Sequence, residues 1–134
     1  MGWHVDVGTH VLWFYAAGLF DQFPKRKIII GHNGEGLHMF IDRIDAAELR
    51  NDTTFSRMWN TNIWIMTSGF FTFRNFEQLR QVSSIERIMY SVDYLFASTT
   101  TGWDFVTNLL RVHILSKNEM NVFAYKNAKV LLTL

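Results

Sequence analysis

The sequence contains no cysteine. Disulfides and thiolate metal sites are therefore excluded, and any metal must be held by imidazole, carboxylate or water. Proline occurs once, at Pro24. Charge of one sign is also lacking. Thirteen basic residues face twelve acidic ones, for a formal net charge of +1. A nucleic-acid surface normally shows a clustered basic excess, and the only basic cluster is Lys25-Arg26-Lys27. It reads as a solvated loop ahead of a strand. No long membrane-spanning run is present. Residues 7–20 carry no Lys, Arg, Asp or Glu, but they fall short of the roughly 20 residues a spanning helix needs and include His10. No basic region precedes an apolar stretch at the start, so no secretory signal is visible, and the cytoplasm is the expected location.

Apolar material is ample. Hydrophobic residues make up 49% and aromatics 16% of 134 residues, enough for one core and too much for disorder. Val11, Phe14, Tyr15, Gly18 and Leu19 fall at helical spacing. Thr9 or Asp6 could cap the start, and Pro24 lies just beyond the end. Leu12 and Trp13 are apolar off that stripe, which predicts a helix buried in the core or covered by another chain.

The run 27–30 predicts a strand buried on both faces, stopped by Gly31-His32-Asn33-Gly34. Helical spacing returns from Glu35 to about Arg50, with Leu37, Phe40, Ile41 and Ile44 inward. Residues 51–62 read as a polar loop that packs through Phe55, Met58 and Trp59. A second strand is expected over 63–67, a short helix over 75–82 and a third strand over 87–92. Helices over 102–112 and 117–131 close the chain. Alternation of this kind implies parallel strands with right-handed crossovers. No linker or repeat marks a boundary within 1–134.

Ligand chemistry in parallel α/β folds collects at the carboxyl ends of strands. His32 and Asp93 both stand there. The glycines around His32 and Glu35 allow a sharp turn, so an imidazole and a carboxylate can share one space. Histidine serves as acid, base or ligand near neutral pH, and a carboxylate beside it can orient the ring. The same turn could simply let Glu35 cap a helix start, and Asp93 could equally cap a turn. Arg43 suits bidentate recognition of a carboxylate, or a local pair with Asp42 or Glu48. His10 reads as a hydrogen-bonded packing residue in an apolar helix. His4, His38 and His113 have no ligand spacing and read as surface or junction residues. Phe70, Phe71, Phe73 and Phe76 read as core rather than substrate wall.

Several stretches in order resemble the amidohydrolase-related decarboxylases, among them the dihydroxybenzoate and gamma-resorcylate decarboxylases. They are Thr9-His10-Val11-Leu12, Gly18 to Lys25, Ile28 to Leu37 with its Gly-His-x-Gly-Glu signature, Thr67-Ser68-Gly69, Arg87 to Tyr94 with Ser-Val-Asp-Tyr, and Lys126-Asn127-Ala128. The resemblance implies the C-terminal part of a (β/α)8 TIM-like barrel, of which 1–134 would be a partial domain with about three parallel strands. It implies a divalent metal (Zn, Mn or Mg) and a small aromatic carboxylic acid as substrate, chelated through its carboxylate and neighbouring hydroxyl.

By the same resemblance Asp93 binds the metal and protonates the ring carbon that loses carbon dioxide. His32 stands beside the substrate, Glu35 is its partner, and Arg43 is offered across a subunit contact. Leu95 stands where the family has proline, and His38-Met39 where Pro-Phe is common. The family's first-strand metal ligands and mid-barrel histidine have no counterpart. The expectation is thus an incomplete site, inactive alone and weak for metal, with a homo-oligomer or complementary barrel fragment as partner. A lactonase-type hydrolase, and a non-catalytic remnant that binds a homologous subunit, are the alternatives.

Overall fold

A computed structural model describes residues 2–133. Three short strands, β1 (Ile28–Ile30), β2 (Ile63–Met66) and β3 (Ile88–Met89), form one parallel sheet in the order β1-β2-β3. Ile28 pairs with Ile63, Ile30 with Ile65, and Ile65 with Ile88. β2 is the central strand, and Ile63, Trp64 and Ile65 are all buried. β1 lies at an edge, and Ile29 is 44% exposed rather than buried as expected. Lys27 and Arg87 place their cations over the ring of its cross-strand neighbour Trp64.

β3 is shorter than the expected 87–92. The backbone there is satisfied in other ways: Tyr90 donates its N–H to the Phe123 carbonyl at 3.0 Å. Thr67 Oγ1 accepts from the Ser91 N–H at 3.0 Å and donates to the Ser91 carbonyl at 2.8 Å. A side chain thus replaces the ladder, and the chain stays aligned with β2 as far as Ser91 without strand pairing.

The first helix, α1 (Gly2–Ala16), begins earlier than expected and is not buried. Gly8, Val11 and Tyr15 face the core, while Trp3, Val5, Trp13 and Phe14 are exposed. His10 is exposed too, with Nδ1 2.7 Å from the Asp6 carbonyl one turn back. The expected single helix through Leu19 is broken at Gly18, whose φ of 68° is left-handed, and α2 (Leu19–Gln22) follows.

After β1 the expected continuous helix is split. A tight 3-10 turn over Leu37–Phe40 precedes α3 (Ile41–Ala46). Phe40, at φ −112° and ψ 1°, breaks the helical register and points outward, whereas Leu37, Ile41 and Ile44 are buried as expected. The expected loop over 51–62 is instead largely helical, as α4 (Phe55–Asn62). Thr54 Oγ1 accepts from the Arg57 N–H at 3.2 Å, and Asp45 Oδ1 accepts from the Phe55 N–H at 2.6 Å. Phe55, Met58, Trp59 and Asn62 are the buried stripe of that helix.

The remaining helices are α5 (Phe73–Val82), α6 (Thr99–Arg111), α7 (Lys117–Asn121) and α8 (Asn127–Leu132), the last two joined by a π-turn over Val122–Lys126. They cover β2 and β3 with Phe76, Leu79, Phe105, Leu109 and Phe123. Asn127, buried on α8, donates to the carbonyls of Ile85 and Ile88 at 2.7 and 2.8 Å. That contact anchors the strand leading to Asp93. No helix of the described residues is long and apolar enough to cross a membrane.

Candidate active site

The segment after β1 runs through left-handed backbone. His32, Asn33 and Glu35 have φ of 47°, 54° and 56°, and Gly34 and Gly36 have 80° and 76°. Non-glycine residues rarely hold such angles, and each costs about 1–3 kcal/mol and persists only where the surroundings impose it. Here Trp59 packs so closely on Gly34 that a Cβ would sit 2.7 Å from its ring. The turn presents the His32 and Glu35 side chains to the same side. His32 Nδ1 lies 2.6 Å from Glu35 Oε1.

Asp93 follows β3 with a φ of 67°. Its carbonyl accepts from the Phe96 and Ala97 N–H groups at 2.8 and 2.9 Å, which closes a turn. Its carboxylate takes no hydrogen bond from the described residues and stands with Oδ2 3.6 Å from His32 Nε2. The turn is therefore made by the backbone, not by the carboxylate as a cap. Gly69, at φ 79°, lies against Asp93, and a Cβ there would meet Oδ2 at 3.5 Å. Ser68 and Ser91 link the ends of the two strands through their hydroxyls at 3.0 Å.

A third residue joins this group, although its spacing along the chain gives no sign of it. His4, on the first turn of α1, places Nδ1 against Glu35 Oε2. The Glu35 side chain is only 2% exposed and engages one imidazole with each oxygen. The His4 and His32 rings meet edge to face, 4.6 Å between centroids. His38 also departs from a surface role: its ring nitrogens are buried, and burial pushes its imidazole below the ordinary histidine range. His113 is exposed in a left-handed turn.

A cavity of about 470 Å³ opens in front of these groups, lined by Trp3, His4, His32, Phe70, Asp93 and Phe96. Phe70 packs edge-on to both His4 and His32. The phenylalanine cluster is thus divided. Phe76 is core, Phe71 and Phe73 pack against it, and Phe70 is wall. Spacing along the chain could not separate them. Nor could it find His4, because only folding of α1 beside β1 brings it to Glu35. Arg43 is exposed on α3, outside this cavity, and makes no ion pair among the described residues, with Asp42 and Glu48 or otherwise.

His4, His32 and Glu35 offer one ligand atom each within 4.8 Å of one another. Both Glu35 oxygens and both Nδ1 atoms are nevertheless engaged with each other. Among the described residues, His32 Nε2 and the Asp93 carboxylate face the cavity and are not engaged in this way. An imidazole and a carboxylate suit a divalent transition metal, but catalytic zinc commonly takes about three protein ligands. Asp93 fits as one ligand of such an ion, and further ligands are required.

Comparison with known proteins agrees with this architecture. A decarboxylase, orsB, from Emericella nidulans is 40% identical over 137 residues, covering 98% of this chain and 41% of its own length. A gamma-resorcylate decarboxylase from Polaromonas sp. is 31% identical, covering 77% of this chain and 34% of its own. The crystal structure of a dihydroxybenzoic acid decarboxylase from Polaromonas sp., with bound manganese and the inhibitor 2-nitroresorcinol, superposes with a TM-score of 0.88 at 27% identity. It covers 98% of this chain and 41% of that one. The chain therefore spans less than half the length of these relatives, and its three parallel strands with their helices are a segment of the amidohydrolase TIM barrel, as the resemblance implied. The amidohydrolase family model matches residues 1–134, and the chain belongs to that family.

Proposed function

We propose that residues 1–134 are part of one barrel domain and supply part of the active site of a metal-dependent, non-oxidative decarboxylase of an aromatic carboxylic acid. The observation that carries this reading is the convergence of His32 and Asp93, 3.6 Å apart, on a cavity walled by Trp3, Phe70 and Phe96. Aromatic walls suit an aromatic ring, and the two polar groups suit its reacting carbon and substituents.

The reaction exchanges one bond for another without redox change. The ring carbon gains a proton, its bond to the carboxylate carbon breaks, and that electron pair stays with the ring until the proton arrives. Asp93, in its protonated form, delivers that proton and recovers one from solvent. Glu35 accepts from His32 Nδ1 and so directs Nε2 toward Asp93 and the substrate. His32 can then hold a substrate hydroxyl or receive its proton. Asp93, with His32 beside it, would help hold a divalent ion, which when bound supplies charge neutralisation for the substrate's carboxylate and hydroxyl. Arg43, exposed and without an ion pair among the described residues, would reach a substrate carboxylate only across a subunit contact.

Association is the second reading, and the structure favours it specifically. β1 has no partner on its outer side among the described residues, whereas Asn127 and Phe123 occupy the outer side of β3, and α1 exposes Trp3, Val5, Trp13 and Phe14. Uncovered edges and apolar faces seek a partner. A complementary barrel segment or another copy of the chain would cover them.

A segment exchange tests the function. Residues 1–134 replace the matching stretch of the Emericella decarboxylase, and carbon dioxide release from gamma-resorcylate and related hydroxybenzoates is measured with manganese. Release by the hybrid supports the reading. Lactone opening without any carbon dioxide release would instead assign a hydrolase.

A further inference from the structure

His4 is tied into the site by hydrogen bonds whose direction can be deduced. The indole N–H of Trp3 can only donate. Trp3 Nε1 lies 3.0 Å from His4 Nε2, so that ring nitrogen is the bare, accepting one. A neutral imidazole with a bare Nε2 carries its proton on Nδ1. His4 Nδ1 meets Glu35 Oε2, and the proton is therefore donated to the carboxylate. The other carboxylate oxygen faces His32 Nδ1 at 2.6 Å. An ionised carboxylate only accepts, so His32 also donates through Nδ1, and its Nε2 is the atom presented to Asp93.

We propose that His4 is a positioning residue for His32. Acting through Glu35, it sets the tautomer and ring plane of His32, and the Trp3 indole N–H adds an acceptor role for His4 Nε2 that agrees with the tautomer Glu35 imposes. The physical reason lies in the burial of Glu35, whose side chain is 2% exposed. A carboxylate with one imidazole donor would keep a buried oxygen unpaired and would rotate to relieve it. A second donor on the opposite oxygen removes that freedom. The edge-to-face contact of the two rings, 4.6 Å between centroids, adds a steric limit on the His32 ring. The arm Trp3–His4 reaches Glu35 from a different element, so the site's geometry depends on how α1 docks beside β1. The catalytic consequence of this arrangement rests on the proposed decarboxylase reading; the arrangement itself does not.

The test is nitrogen NMR of the imidazole rings in the 134-residue chain at neutral pH, with three variants. In the unaltered protein, His4 and His32 should both carry their proton on Nδ1 and have bare Nε2. His4→Asn retains an amide N–H near the position of Nδ1, and His32 should keep its tautomer. His4→Phe removes the donor while keeping a ring, and the Nε2 resonance of His32 should shift from the bare toward the protonated range as both tautomers become populated. Trp3→Phe leaves the Glu35 carboxylate as the acceptor, and His4 should keep its proton on Nδ1. A His4 proton found on Nε2 in the unaltered chain would overturn the proposal, whether or not any variant folds. So would an unchanged His32 spectrum in folded His4→Phe. A zinc titration in which one equivalent strips both Nδ1 protons would overturn it too, by making the three residues a metal cage. None of these readouts needs activity. A chain or hybrid that releases no carbon dioxide would count against the decarboxylase reading and leave this inference standing.

Discussion

His32 and Asp93 meet across a strand. One follows β1, the other follows β3, and β2 lies between them, yet Nε2 and Oδ2 are 3.6 Å apart. Alternate strands of a sheet stand roughly 9.5 Å apart, so the two side chains must lean toward each other over the end of β2. The left-handed backbone at both residues, φ 47° and 67°, turns them that way. Gly69, at the end of β2, leaves room for the carboxylate. The pair is beyond direct hydrogen-bond length, which leaves a gap that a substrate group or an ion can enter.

Asp93→Asn should abolish most of the activity of the segment-exchanged enzyme. The amide preserves shape but carries no transferable proton and binds metal poorly. A proton-transfer group contributes about 10²–10⁴-fold to rate, and kcat for carbon dioxide release should fall within that range. An unchanged kcat would remove Asp93 from the chemistry.

Glu35→Gln should destabilise the fold as well as the site. The carboxylate accepts from an imidazole at each oxygen, whereas a glutamine must turn an NH2 group toward one of them. Loss of a hydrogen bond to a charged group costs about 1.5–3 kcal/mol. Urea unfolding of the chain should show a decrease of that order, and His4 and His32 should no longer share one tautomer.

Gly34→Ala tests whether the turn carrying His32 is held by packing. Gly34 has a φ of 80°, and an added Cβ would lie 2.7 Å from Cη2 of Trp59, itself 1% exposed. Overpacking of this kind costs about 1–3 kcal/mol, with left-handed strain in addition. A lower unfolding midpoint, with altered imidazole signals from His32, is expected.

Glu119 makes stability depend on acid. The Ser116 backbone N–H, the Arg80 guanidinium and the Ser116 hydroxyl hold its carboxyl at about 2, below the ordinary 4.5. A group lowered on folding stabilises above its unfolded value, and the gain is lost as pH falls through the folded value. The contribution should be whole above about pH 4.5 and fade toward pH 2. Glu119→Gln should flatten the change in urea midpoint over that window. Raised salt should weaken the effect in the native chain, because the Arg80 contact is partly exposed.

Legibility differed between elements for identifiable reasons. The strand over 28–30 was visible because three isoleucines in a row leave few alternatives. Helix α4 is obscured in the sequence by the polar run Asn51, Asp52, Thr53 and Thr54 ahead of it. Its apolar residues at 55, 58 and 59 already had helical spacing, and Thr54 was the cap. The length of β3 could not be foreseen, since Thr67 and Phe123 supply the bonds that replace its ladder.

The order of the three strands, the parallel sheet, and the location of His32 and Asp93 at strand ends follow from local residue patterns. Periodicity and turn chemistry act over a few neighbours, and a single chain displays them directly. Which distant side chains share a space is a different matter. His4 on Glu35, Phe70 in the wall, and the exposure of Trp13 all depend on how α1 and the β2 loop dock. Docking is settled by summed burial and hydrogen bonding across the whole molecule, and no short stretch of residues encodes that sum.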